Sequence, residues 1–205
     1  ASVEVTKDVR GLVFSTTRDG ADAQAVQSAL KQALDAALAE ARKIARPGQV
    51  EVQTGNFSLY PRYGNPNNPK AGGQPSIIGW QGTAELQVQG KDAAAIAQLS
   101  GRVTTMSIAR VGYTLSKEAR EKAEAEVSAR AIADWRAKAQ QMSQQFGYAG
   151  FAVREVNVTT NEPGGGPVPM VRASTVAMKM DESLPTEAGK GDVTATVSGS
   201  AQMSK

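Results

Sequence analysis

Residues 116–146 set the scale of what this chain can fold into. From Ser116 to Phe146 the sequence reads as one amphipathic helix of about 31 residues, ~46 Å long at the usual rise, that ends at Gly147. Ala119, Ala123, Val127, Ala131, Ile132, Trp135, Ala139, Met142 and Phe146 recur in steps of three and four and draw one stripe on a 3.6-residue period. Ser116 is placed as the N-cap, Glu118 falls in the first turn, and Gly147 suits the left-handed position after the last turn. The alanines let a sheet approach closely. Trp135, Met142 and Phe146 are expected to supply most of the buried area.

The rest of the chain must provide that sheet. Val3, Val5 and Val9, then Leu12-Val13-Phe14, read as a first strand from about 2 to 18, with Gly11 as a bulge. Asp19-Gly20 ends it. Val26, Leu30, Leu34, Leu38, Ala41 and Ile44 predict a helix from Asp22 to Ala45, stopped by Pro47-Gly48. Val50–Tyr60 and Ser76–Gln89 read as strands joined by an arm that starts at Pro61 and carries Tyr63, Pro66, Pro69 and Pro75. Asp92 caps a short helix closed at Gly101, and Val103–Leu115 returns as a strand. This order, β-α-β-β-α-β, is that of a ferredoxin-like split unit. After the long helix, Phe151–Val158 predicts a strand, Glu162–Pro169 a break, and Val171–Met180 an edge strand. Val193–Met203 is a cleanly alternating last strand with a Thr/Ser face opposite its apolar one. The expected fold is α+β, in a single domain: the β-α-β-β-α-β part over 1–115, the long helix and further antiparallel strands over 116–205.

Composition removes much chemistry. The 205 residues include neither cysteine nor histidine. Disulfides, thiolate metal sites and cysteine nucleophiles are excluded, as are the commonest general base and the usual serine triad. With 23 basic and 20 acidic residues scattered along the chain, the net charge of +3 gives no reason to expect a nucleic-acid partner. No apolar run approaches the ~20 residues of a membrane span. The chain begins at Ala1 rather than Met, so a soluble product that has lost a signal peptide is expected.

No residue set selects itself as catalytic, and neither a cofactor nor a metal site is expected. Glu118, Glu121, Glu124 and Glu126 interleave with Lys117, Arg120, Lys122 and Arg130, the pattern of a solvated helix face with i,i+4 pairs. The glycines at 164–166 and 189–191 lack the Gly-Lys-Ser/Thr ending of a phosphate loop. The sequons Asn56-Phe57-Ser58 and Asn157-Val158-Thr159 fall inside strands. Trp80 and Trp135 lie on apolar faces and read as packing residues.

Several stretches resemble the SIMPL-domain family. Val52-Gln53-Thr54-Gly55 leading to Tyr60-Pro61-Arg62-Tyr63 is similar to the family's strand with its Gln-Thr and Pro-x-Tyr elements. Pro75-Ser76-Ile77-Ile78-Gly79-Trp80 resembles the Pro-x-Ile-x-Gly-aromatic opening of the next strand. Ser116–Gly150 resembles the family's helix of spaced alanines ending in Gly-x-x-Gly, and Gly189 its glycine before the closing strand. Lys7-Asp8 stands where the family usually has Pro-Asp. The resemblance implies an α+β fold, export to the bacterial periplasm or cell surface, and self-association. It supplies no agreed enzyme activity, only links to oxidative-stress tolerance and surface antigenicity.

Three functions remain to be weighed. The leading expectation is a non-enzymatic exported protein that acts as a homo-oligomer, with Tyr60, Pro61, Tyr63, Pro66, Pro69, Pro75 and Trp80 as the contact residues. The second is a binding module for a small ligand or envelope polymer that uses the loops at 61–76 and 161–169. The third, a remote one, is a histidine-free hydrolase built on carboxylates.

Overall fold

The computed structural model describes residues 1–64, 76–161 and 187–205. The arm prolines Pro66, Pro69 and Pro75, the break at 162–169 and the expected edge strand at 171–180 lie outside the described residues. The chain is mixed α+β, as its patterning predicts, and divides into two compact units. One unit is built from 1–8, 114–161 and 188–205, the other from Val9–Tyr113.

The unit of Val9–Tyr113 holds β2 (Val9–Gly20), α1 (Ala23–Ile44), β3 (Val50–Tyr63), β4 (Ile77–Gly90), α2 (Ala93–Arg102) and β5 (Ser107–Thr114). Here the β-α-β-β-α-β order is realised, with strands arranged β3-β4-β2-β5. Asp22 and Asp92 cap their helices as the sequence predicts, accepting from Ala25 N at 2.8 Å and from Ala95 N at 2.9 Å. α2 runs one residue past Gly101, to Arg102. Alternation gives the sheet an apolar face: Leu12 pairs with Val88 and Phe14 with Leu86, and these pack with Ala37, Ala41, Ile96 and Leu99. A neighbouring cluster joins Val26, Leu30 and Ala84 to Leu59 and Trp80. On the opposite face Gln53 bonds Gln87, Gln89 bonds Glu51, and Thr17 meets Thr83.

The other unit is a three-stranded antiparallel sheet, order β1-β7-β6, carrying one helix. β1 spans Ser2–Thr6, α3 Lys117–Gln145, β6 Gly150–Asn161 and β7 Lys190–Ser204. Ser116 Oγ accepts from Ala119 N at 3.2 Å, and Gly147 adopts φ +77°, so both ends of the long helix close as expected. The core is Leu115, Ala123, Val127, Ala131, Val193 and Ala195.

Three expectations are corrected. The first strand is not continuous from 2 to 18: it breaks at Lys7-Asp8 into β1 and β2, which belong to different sheets, and Gly11 sits inside β2. At the break Lys7 N donates to Gly189 O (3.0 Å) and Asp8 N to Thr114 O (3.1 Å), so the backbone there is satisfied by partners other than those of a continued strand. Pro61 does not open a loop, because β3 continues to Tyr63. It pairs with β4 alone and is an edge strand among the described residues, where a missing N–H costs no ladder bond. Finally, the large side chains of α3 are not its main buried area. Met142 is 45% and Phe146 66% exposed, while the small Ala123, Val127 and Ala131 are buried.

Candidate functional site

Two surfaces carry exposed apolar side chains, one in each unit. In the Val9–Tyr113 unit it is the far end of the β3–β4 hairpin. There Tyr60 pairs with Gln81, Pro61 with Trp80, Arg62 with Gly79 and Tyr63 with Ile77, with an irregularity between Arg62 and Tyr63. Gly64 N donates to Ser76 O at 2.9 Å, a further rung beyond the strands. Tyr60 Oη donates to Gln81 Oε1 at 3.3 Å, and Arg62 lies 3.8 Å from Asp19 across the sheet.

These polar contacts hold the strand end in register and leave its apolar groups bare. Phe57, Tyr60, Tyr63, Ile77 and Ile78 are between 44% and 61% exposed. Scattered exposed apolar residues need no explanation, but five on one hairpin are a concentration, and they fall on both faces of the sheet: Phe57 pairs with Ala84 and Tyr60 with Gln81, three positions apart, and Ile77 and Ile78 are neighbours in β4. Of the residues named from sequence, the structure brings Tyr60, Pro61 and Tyr63 together here. Trp80 is half-buried against Val26, Leu30 and Ala84, so its ring serves the interior of its own unit.

In the other unit, the C-terminal half of α3 and the β6–β7 hairpin enclose a groove of about 430 Å³. Trp135, Lys138, Ala139 and Met142 line it from the helix, Phe151 from β6, and Ser198, Gly199, Ala201 and Met203 from β7. Trp135 meets Phe151 edge-on, ring centroids 6.2 Å apart at 78°. The floor depends on Gly199. A Cβ there would run into the carbonyl oxygen of Glu155, where β6 bulges between Val153 and Glu155. One residue after Met142, Ser143, fully buried, donates to Gly150 O at 2.7 Å and ties the end of α3 to the start of β6.

The groove was missed in the sequence because Trp135, Met142 and Phe146 continue the stripe of the helix and so read as core. The sequence carries no signal for it: Ala201 and Met203 continue the alternation of Val193 and Ala195, and only the structure shows that burial along β7 stops at Ala195. The charged residues of α3 behave as read. Lys117 and Glu121 lie 3.7 Å apart, Glu126 and Arg130 2.6 Å, all exposed. Among the described residues no three carboxylates gather into a cation cage. Lys190 donates to Glu4 Oε2 at 2.6 Å, and this bond, with the charge of Glu4 behind it, holds the ammonium pKa above its ordinary value.

No described helix is long and apolar enough to cross a membrane. Among curated proteins none matches the chain. The SIMPL family model, described as a protein of unknown function (DUF541), matches residues 1–201. That span takes in both units, from β1 through most of β7, so the chain belongs to the SIMPL family.

Proposed function

We propose that this is a non-enzymatic protein, exported to the periplasm or cell surface, that works by assembling with copies of itself through the far end of the β3–β4 hairpin. The observation that carries the reading is the concentration of exposed large apolar side chains on both faces of this one hairpin, Phe57, Tyr60, Tyr63, Ile77 and Ile78. Aromatic side chains on a hydrogen-bonded hairpin offer contact area at little conformational cost, which is what subunit contacts select. A two-fold contact would pair the hairpin end with itself, and a head-to-tail contact would close a ring. Tolerance of oxidative or envelope stress would then be a property of the assembly rather than of a reaction at one site.

Light scattering across a range of concentrations tests this. The expected result is a native mass that is a fixed multiple of 21.4 kDa. The double variant Tyr63→Ser, Ile78→Ser should be folded by circular dichroism and smaller. A folded variant with the parent's mass overturns the proposal, and so does a monomeric parent.

A further inference from the structure

We propose that the groove between α3 and the β6–β7 hairpin binds an acyl carboxylate of medium chain length, with the chain along Trp135, Ala139, Met142 and Met203 and the carboxylate on Lys138. This site is separate from the hairpin end and does not depend on self-assembly.

Size and lining choose the chain. About 430 Å³ lies within the range of small-molecule pockets, roughly 300–1,000 Å³. From Trp135 to Met142 the helix advances about 10 Å, the reach of a medium acyl chain. Two methionines and two aromatic rings give a wall that accommodates a flexible chain without fixed hydrogen bonds. Ser143, the nearby buried hydroxyl, is already committed to Gly150 O, so it asks nothing of a ligand.

Charge chooses the head group. Lys138 is the one charged side chain among the lining residues. Among the described residues it makes no ion pair, although Asp134 stands one turn earlier on the same helix. Its methylene stem can lie along the apolar wall with the ammonium at the rim. A single ammonium balances the single charge of a carboxylate, whereas a phosphate, with up to two charges, would leave charge unmet in a lining that holds no second cation. A neutral chain would leave that charge unanswered.

The test is calorimetric titration of the full chain with sodium decanoate below its micelle concentration, alongside decanol. Saturable binding at one decanoate per chain is expected, with decanol weaker. Lys138→Gln should weaken decanoate about fivefold, the weight of one partly exposed ion pair, and Lys138→Arg should stay within about twofold of the parent. Ala139→Trp should fill the groove and abolish binding; Ala201→Leu, from the opposite wall, serves if the first variant does not fold. The proposal is overturned by absence of saturable binding, by equal affinity for decanol, or by undiminished binding to either folded groove-filling variant. A filled groove that lowers the native mass of a chain indifferent to decanoate would overturn it too, and would assign the groove to a second copy.

Discussion

The carboxylate of Asp8 takes both hydrogens that Ser116 can donate: Oδ1 accepts from the backbone N–H and Oδ2 from the hydroxyl, each at 2.6 Å, across 108 residues of sequence. Ser116 in turn caps α3 through Ala119 N. Asp8 therefore does two jobs at once. It ends β1, and it places a carboxylate over the positive end of the longest helix. Asp8 N also donates to Thr114 O, so the residue where the chain leaves the first unit is bonded to the one where it returns.

Replacing Asp8 should therefore cost more than its own exposed position suggests. Ser116 is 7% exposed, and Asp8→Ala strands its buried N–H and hydroxyl. A loss of about 2 kcal/mol is expected, read as a lower urea midpoint. Asp8→Asn, which keeps one acceptor, should lose about half as much. Trp135 fluorescence in a Trp80→Phe background confines the readout to the unit that holds α3. If Asp8→Ala unfolds at the parent midpoint, the double acceptance contributes nothing to that unit.

Gly199 and Gly112 make a matched pair for the role of glycine in these sheets. Around a Cβ built on Gly112 nothing lies within 4 Å, so Gly112→Ala should be neutral or slightly stabilising. At Gly199 the same methyl meets the Glu155 carbonyl oxygen and lies 3.1 Å from Val156 Cα, both backbone. The bulge in β6 would have to shift, at a cost of about 1–3 kcal/mol. Thermal melts decide this, and equal Tm shifts for the two alanines would refute the assignment of Gly199 to the bulge.

Helices were legible in this sequence because each carries its own boundary chemistry: Asp22, Asp92 and Ser116 announce their helices, and Gly147 ends one. The alternation of β4 and β7 was equally plain. What the sequence concealed depends on partners distant in the chain. Val3, Val5 and Val9 continue one alternating pattern, and only Thr114, Ser116 and Gly189 show why it breaks at Lys7-Asp8. Pro61 reads as a loop former unless β3 is known to lie at a sheet edge. For the candidate sites, Tyr60 and Tyr63 were readable as aromatic residues beside a turn. The groove was not, since periodicity shows that Trp135 and Met142 share a helix face but not that the β7 stretch opposite them is Ser198, Gly199, Ala201 and Met203, with Phe151 the one aromatic sheet side chain in the lining.

The Lys190–Glu4 pair gives a pH signature with a definite sign. Its folded pKa is raised, first by the hydrogen bond to Glu4 and then by the Glu4 charge. A raised lysine pKa adds stability that is complete below the unfolded-chain value and disappears as pH climbs through the folded one. The two side chains are 60% and 56% exposed, so the contribution is small and is screened by salt. Lys190→Met should show a slightly lower urea midpoint than the parent at neutral pH, with the gap closing in strongly alkaline solution. A gap that persists there would mean that the methylenes of Lys190, not its charge, carry the effect.

Arg10 offers the opposite case, a charge whose removal should help. It is 8% exposed, its Nε has no hydrogen-bond partner among the described residues, and its terminal nitrogen donates to Ala93 O at a long 3.5 Å. The guanidinium lies 5.9 Å from the centre of the Tyr113 ring, which returns part of the desolvation cost. A buried cation with an unmet donor and no short bond is a poor trade against a side chain of similar length without charge. Arg10→Met should keep a buried stem of similar length and raise the urea midpoint by the equivalent of about 1 kcal/mol. Arg10→Ala, which also empties the space, should be destabilised by a similar amount. If the methionine variant falls with the alanine one, the guanidinium contributes more through Tyr113 and Ala93 than it costs to bury.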